Sequence, residues 1–218
     1  MAKRGSKASS AKASAKPSGE KSAGKGGASQ SAIEAALTLA AEKGWRDLAL
    51  ADIAEAAGLS IGELYAIYPS KTDILAAYSR NIDAAVLAET EAPDEGESAK
   101  DRLFDLLMRR FDKLEAHKAG LVRIAEDTGR DPLALVCSLA NLDRSMAAML
   151  EAAGISTTGL RGVVRIKGLA AVYLAGLRAW FRDDSADKAK TMAALDKALG
   201  RAERMASSFG NRQKRAAA

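Results

Sequence analysis

The chain has 218 residues, 48% of them apolar and only four of them Pro, enough for one or two domains around a well-buried core. One Cys and one His exclude an internal disulfide and a Cys/His zinc site of the usual kind. They also argue against a His-dependent triad, because His117 lies in the polar run "EAHKAG" with no Ser or Cys signature beside it. The formal net charge of +5 is uneven: residues 1–29 carry seven Lys/Arg against one Glu, 30–86 four against eight, and 201–218 five against one.

Ala and Leu are abundant and lose little entropy on becoming helical, so an all-α fold is expected. Residues 1–29, almost entirely Ala, Ser, Gly and Lys, read as a disordered basic tail, either a nonspecific phosphate clamp or a solubilising arm. They contain no apolar signal segment. The longest charge-free apolar run, residues 168–177, is half of the roughly 20 residues that a membrane-spanning helix needs. A cytoplasmic protein is expected. No strand precedes a Gly cluster, so no phosphate loop is present, and no cofactor, metal or enzymatic chemistry is expected.

From Gln30 the spacing of Ile33, Ala36, Leu37 and Ala40 predicts a helix that Gly44 ends. A short helix follows, with Leu50, Ile53 and Ala57 inward, and Gly58 turns the chain. Ser60 caps a third helix with Leu64 and Tyr68 inward, which stops before Pro69. Ser70 caps a fourth helix through Ile74, Leu75, Tyr78 and Ile82. The acidic run "ETEAPDEGES" separates this module, residues 30–86, from a helical domain over 97–207, with a basic tail at 208–218. In that domain Leu103, Leu106, Leu107, Phe111 and Leu114 form one apolar stripe, and Asp131-Pro132 starts a helix reaching Gly154 with Leu135, Leu139, Leu142, Met146 and Leu150 inward. Ser156 or Thr157 caps the next helix, to about Phe181. The last begins in "DDSADKAK", with Met192, Leu195 and Leu199 on its buried side.

"IEAALTLAAEKGWRDLALADIAEAAGLSIGELYAIYPSKTDIL" resembles the N-terminal domain of the TetR family of bacterial transcriptional regulators. The resemblance implies a three-helix helix-turn-helix reader on a larger helical bundle that binds an effector and forms a homodimer. It implies an effector-responsive repressor on double-stranded DNA. Carried over residue by residue, Ser60, Tyr65 and Lys71 match positions that hold phosphates, while Ser60, Ile61, Gly62 and Glu63 match positions that face base edges. Ala49 departs from the usual Thr cap, Ala51 from a frequent Arg, and Ile67 from a His or Tyr.

A second resemblance points elsewhere. "MAAMLEAAGIST" and "GLAAVYLAGLRAWFRDDSADKAKTMAALDKALGRAE" are similar to the C-terminal region of ubiquinone-biosynthesis accessory proteins, which share the TetR fold. That similarity implies an isoprenoid lipid in the pocket and peripheral membrane contact through Arg201, Arg204, Arg212, Lys214 and Arg215. Under either resemblance, a small apolar effector or lipid is expected against Phe104, Met108, Phe111, Ile124, Leu139, Met146 and Tyr173. A dimer surface is expected on small residues Gly168, Ala171, Ala175 and Gly176, flanked by Tyr173, Leu177 and Trp180.

Overall fold

A computed structural model describes the backbone of residues 19–90, 96–130 and 132–216, and the side chains of 26–90, 96–130 and 137–206. Among these residues every regular element is helical. The elements are α1 (Gly19–Lys43), α2 (Leu50–Ala56), α3 (Ile61–Ile67), α4 (Lys71–Ala88), α5 (Ala99–Leu114), a 3-10 turn at Glu115–His117, α6 (Lys118–Thr128), α7 (Pro132–Ala152), α8 (Gly159–Trp180) and α9 (Ala189–Ala216).

The apolar spacing of α1 does what periodicity requires. Ile33, Ala36, Leu37 and Ala40 are all at most 2% exposed, facing α2, α3, α4 and α6. The helix also reaches back to Gly19, which corrects the expectation of a disordered segment through residue 29. Once the Ile33 stripe has nucleated the helix, each added residue gains a hydrogen bond without a new nucleus. Ser29 is tied down as well, its Oγ 2.6 Å from the Tyr68 hydroxyl. The same logic carries α9 through Ala216, so 208–216 continue a helix instead of forming a separate tail. Residues 1–18, residues 91–95 in the middle of the acidic loop, and the expected cap Asp131 lie outside the described residues.

Gly58 makes the turn between α2 and α3. It sits at φ +68, where a Cβ would be strained, and the flanking amides close the end of α2: Gly58 N donates to Glu55 O and Leu59 N to Ala54 O. The third helix then packs Leu64, fully buried, and Tyr68, 5% exposed, as expected.

Helix α4 joins the two halves. Ile74, Tyr78, Ile82 and Val86 are buried, and the helix touches α1 on one side and α5 and α7 on the other. Its polar face enters the bundle. Arg110 of α5, 4% exposed, pairs with Asp83 of α4 and donates to Ser79 Oγ at 3.1 Å, while Ser145 of α7 donates to Asp83. Further hydrogen bonds help a buried ion pair offset its desolvation, and Ser79 and Ser145 supply them here, although the buried Arg110 Nε has no partner among the described residues. His117, despite its polar run, is half-buried, its Nδ1 3.2 Å from the Tyr78 hydroxyl. Burial pushes the Tyr78 phenol up to about 12, with Arg110 opposing the shift.

In the bundle α8 and α9 pack along each other, and Phe111 stacks on Tyr173 with ring centroids 5.3 Å apart. The turn before α9 is built on Asp183, which is 2% exposed. Its carboxylate accepts from Ser185 N and Oγ and, at 2.8 Å each, from Thr191 N and Oγ1. The last helix therefore starts at Ala189, later than its "DDS" run suggests. Thr191, Leu195 and Leu199 set its buried face, and Met192, expected inside, is turned out at 40% exposed. The buried apolar side chains of both halves belong to one continuous cluster.

Candidate DNA-reading face

On α3 the residues Ile61, Gly62, Tyr65 and Ala66 are all exposed, Gly62 and Ala66 lying opposite the buried Leu64. Ile61 is 51% and Tyr65 61% exposed. At the start of the helix Ser60 and Glu63 close on each other. Ser60 N and Oγ donate to Glu63 Oε2 at 2.8 and 2.7 Å, and Glu63 N donates to Ser60 Oγ at 3.2 Å. This reciprocal cap satisfies two orphan amides. The Ser60 hydroxyl, then the Ser60 amide, hold the Glu63 carboxyl below its ordinary range. Glu63 is therefore an anion tethered to its own helix, and it brings no donor to the reading face.

Lys71 departs from its expected role. Its ammonium donates to Trp45 O and Leu48 O, both at 2.6 Å, and to Arg46 O at 3.3 Å, and it lies 5.1 Å from the centre of the Trp45 ring. Burial, the largest influence, lowers the pKa of this amine against the pull of Asp127, Asp47 and Asp52. The side chain assigned by resemblance to a DNA phosphate is committed to the loop between α1 and α2. Asp127 of α6 holds the same loop from the other side, its Oδ2 accepting from Trp45 N at 2.8 Å and Arg46 N at 3.0 Å. Those amides, Arg46 first, keep the Asp127 carboxyl low. No local motif signals Asp127, because its partners lie 81 and 82 residues away in sequence. Ala49 gives α2 no side-chain cap, and only Asp52 serves that end, accepting from Ala49 N at 2.8 Å.

The expected effector residues divide. Phe111, Met146 and Tyr173 are core, Ile124 is 7% exposed, and Phe104 and Met108 are half-buried beside them on α5. Leu139 is 38% exposed and faces out of α7, so it does not line a shared interior with the others. A groove of about 470 Å³ opens elsewhere, between α1 and α2, lined by Ser31, Glu34, Thr38, Leu39 and Glu42 among others. On the expected dimer surface Gly168 and Ala171 are exposed and Ala175 is half-buried. Gly176 is buried with Phe111 and Leu195 against it, and Tyr173 and Trp180 are core. The outward apolar side chains of α8 are Leu160, Val163 and Val164, at 80%, 51% and 63% exposed.

Two short helices set across a tight turn, with the second bare to solvent and mounted on a helical bundle, define a helix-turn-helix protein. Residues 32–78 match the family model described as bacterial regulatory proteins, tetR family. The whole chain is similar in fold to the TetR transcriptional regulator from Nitrosomonas europaea ATCC 19718, at 22% identity and TM-score 0.63 over 80% of this chain and 97% of that one. A TetR transcriptional regulator from Rhodococcus sp. RHA1 is similar at 22% identity and TM-score 0.61, over 82% and 97%. Thermus thermophilus FadR, a TetR-family transcriptional repressor in complex with lauroyl-CoA, is similar at 18% identity and TM-score 0.50, over 81% and 92%. No curated protein matches the chain. Residues 32–78 thus carry a tetR-family domain, and the chain as a whole shares the fold of these regulators. Asp183 and Thr191 are built into the joint between α8 and α9.

Proposed function

We propose that the protein is a dimeric, effector-responsive transcriptional repressor that acts on double-stranded DNA in the cytoplasm and catalyses no reaction. The observation that carries this reading is the uncovered face of α3, held on a TetR-family domain whose own side chains need nothing from that face. Two copies would present two such helices to successive major grooves, about 34 Å apart. The exposed Leu160, Val163 and Val164 supply an apolar surface for pairing.

The effector is a small apolar molecule or lipid entering the bundle beside Phe104 and Met108. The lauroyl-CoA complex of the similar FadR structure is in keeping with an apolar chain there. Coupling to DNA runs along two routes. Helix α4 carries Asp83 and Ser79 into the bundle while its first residue, Lys71, clasps the α1–α2 loop. Helix α6 reaches the same loop through Asp127. An effector that favours one arrangement of these helices shifts the spacing of the reading heads by its differential affinity for the two states.

A band-shift titration with DNA flanking its own gene, repeated across salt concentrations, tests the reading. Retarded complexes that weaken steeply as salt rises, and dissolve with a fatty acid or isoprenoid compound, are the expected result. Equal affinity for flanking and random DNA would refute it.

A further inference from the structure

We propose that Ile61 selects a thymine in each operator half-site through the base's C5-methyl group instead of a hydrogen bond. The inference rests on the DNA-binding reading above and adds the class of base that α3 accepts. Leu64 at 0% and Tyr68 at 5% exposure fix how α3 is rolled, and Ile61, one turn before Leu64, lies at the edge of that buried face with 51% of its surface exposed. It is the first residue of the helix, and recognition helices reach base edges with their N-terminal residues.

The neighbouring groups leave that role to Ile61. Ser60 and Glu63 are engaged with each other, Gly62 has no side chain, and Ala66 offers one methyl. A Cβ on Gly62 would meet nothing within 4 Å, so the fold does not require glycine there, and the bare backbone permits close approach to the bases. Nor is Ile61 explained by packing or by helix preference, being half-exposed and β-branched. In the major groove the thymine methyl is the apolar feature among N7, O6, O4, N4 and N6. Isoleucine set against any of those polar atoms would strip water and return no hydrogen bond.

The test begins with duplexes selected from a random library by the full chain. Each thymidine of the selected half-site is then replaced singly by deoxyuridine, which removes only the methyl. One position per half-site should weaken binding about fourfold, the value of one buried methyl-sized group. Ile61→Ala should keep wild-type helicity and melting, and should bind the thymidine and deoxyuridine duplexes alike. Methyl loss that is harmless everywhere, or that Ile61→Ala feels as strongly as wild type, overturns the assignment of Ile61 and leaves DNA binding standing. Failure to enrich any duplex overturns the functional reading and this inference together.

Discussion

Lys71 shows how far a residue's neighbours can change its meaning. Its position at the head of α4 suggests a phosphate ligand, but three loop carbonyls already hold its ammonium. Lys71→Ala should therefore lower stability by about 1.5–3 kcal/mol in urea unfolding, the range for hydrogen bonds to a charged group. It should leave the salt dependence of DNA binding unchanged; a slope shallower by about one contact would restore the phosphate role. Asp183 is a second case, read from sequence as a helix start and found as a buried four-bond acceptor. The Ser185 hydroxyl, then Thr191, depress its carboxyl far below the usual carboxylate range. A depressed acid stabilises the fold above the unfolded pKa of about 3.9, and that contribution is lost as pH falls through the folded value. Asp183→Asn should thus melt several degrees below wild type at neutral pH. The gap should narrow as pH drops below about 4, and a pH-independent gap would contradict this assignment. Neither role was legible beforehand, because the partners of Lys71 sit 23 to 26 residues away and Thr191 is identified as a partner only by the turn itself.

Helices were legible in the sequence wherever apolar residues recur at helical spacing, as in α1, α3, α4 and α5, whose expected inward residues are largely buried. What local pattern could not convey was which helix each face would meet. Gly120 on α6 is one such contact. A Cβ there would lie 2.4 Å from the carbonyl oxygen of Leu37 on α1, a backbone atom that cannot step aside alone. The gain in helix propensity from Gly to Ala, about 1 kcal/mol, opposes overpacking that costs about 1–3 kcal/mol. With backbone as the obstacle the clash should win, so Gly120→Ala should lower the urea midpoint; a raised midpoint would show that α6 can lift off α1 freely. Pairing between copies is the other such contact. The small-residue stripe on α8 pointed partly inward, since Gly176 serves Phe111, and the free apolar surface lies nearer the start of that helix. Val164→Asp should accordingly turn a dimer into a folded monomer by sedimentation at micromolar concentration. An unchanged dimer would place the interface elsewhere.

The whole molecule is one apolar core with a reading helix at one end. A module carrying four basic and eight acidic residues must still approach phosphates. Under the proposed function, the seven Lys/Arg of residues 1–29, which more than offset that excess in number, would supply the nonspecific attraction. Specificity then falls to α3, whose exposed face is mostly apolar. The most direct test of the central claim is a footprint on a selected duplex, using hydroxyl radicals for the backbone and methylation of guanine N7 for the major groove. Two protected patches about one helical turn apart, each with major-groove protection at its centre, are the result this account predicts. A bound complex with uniform backbone protection and fully reactive major-groove guanines would contradict it.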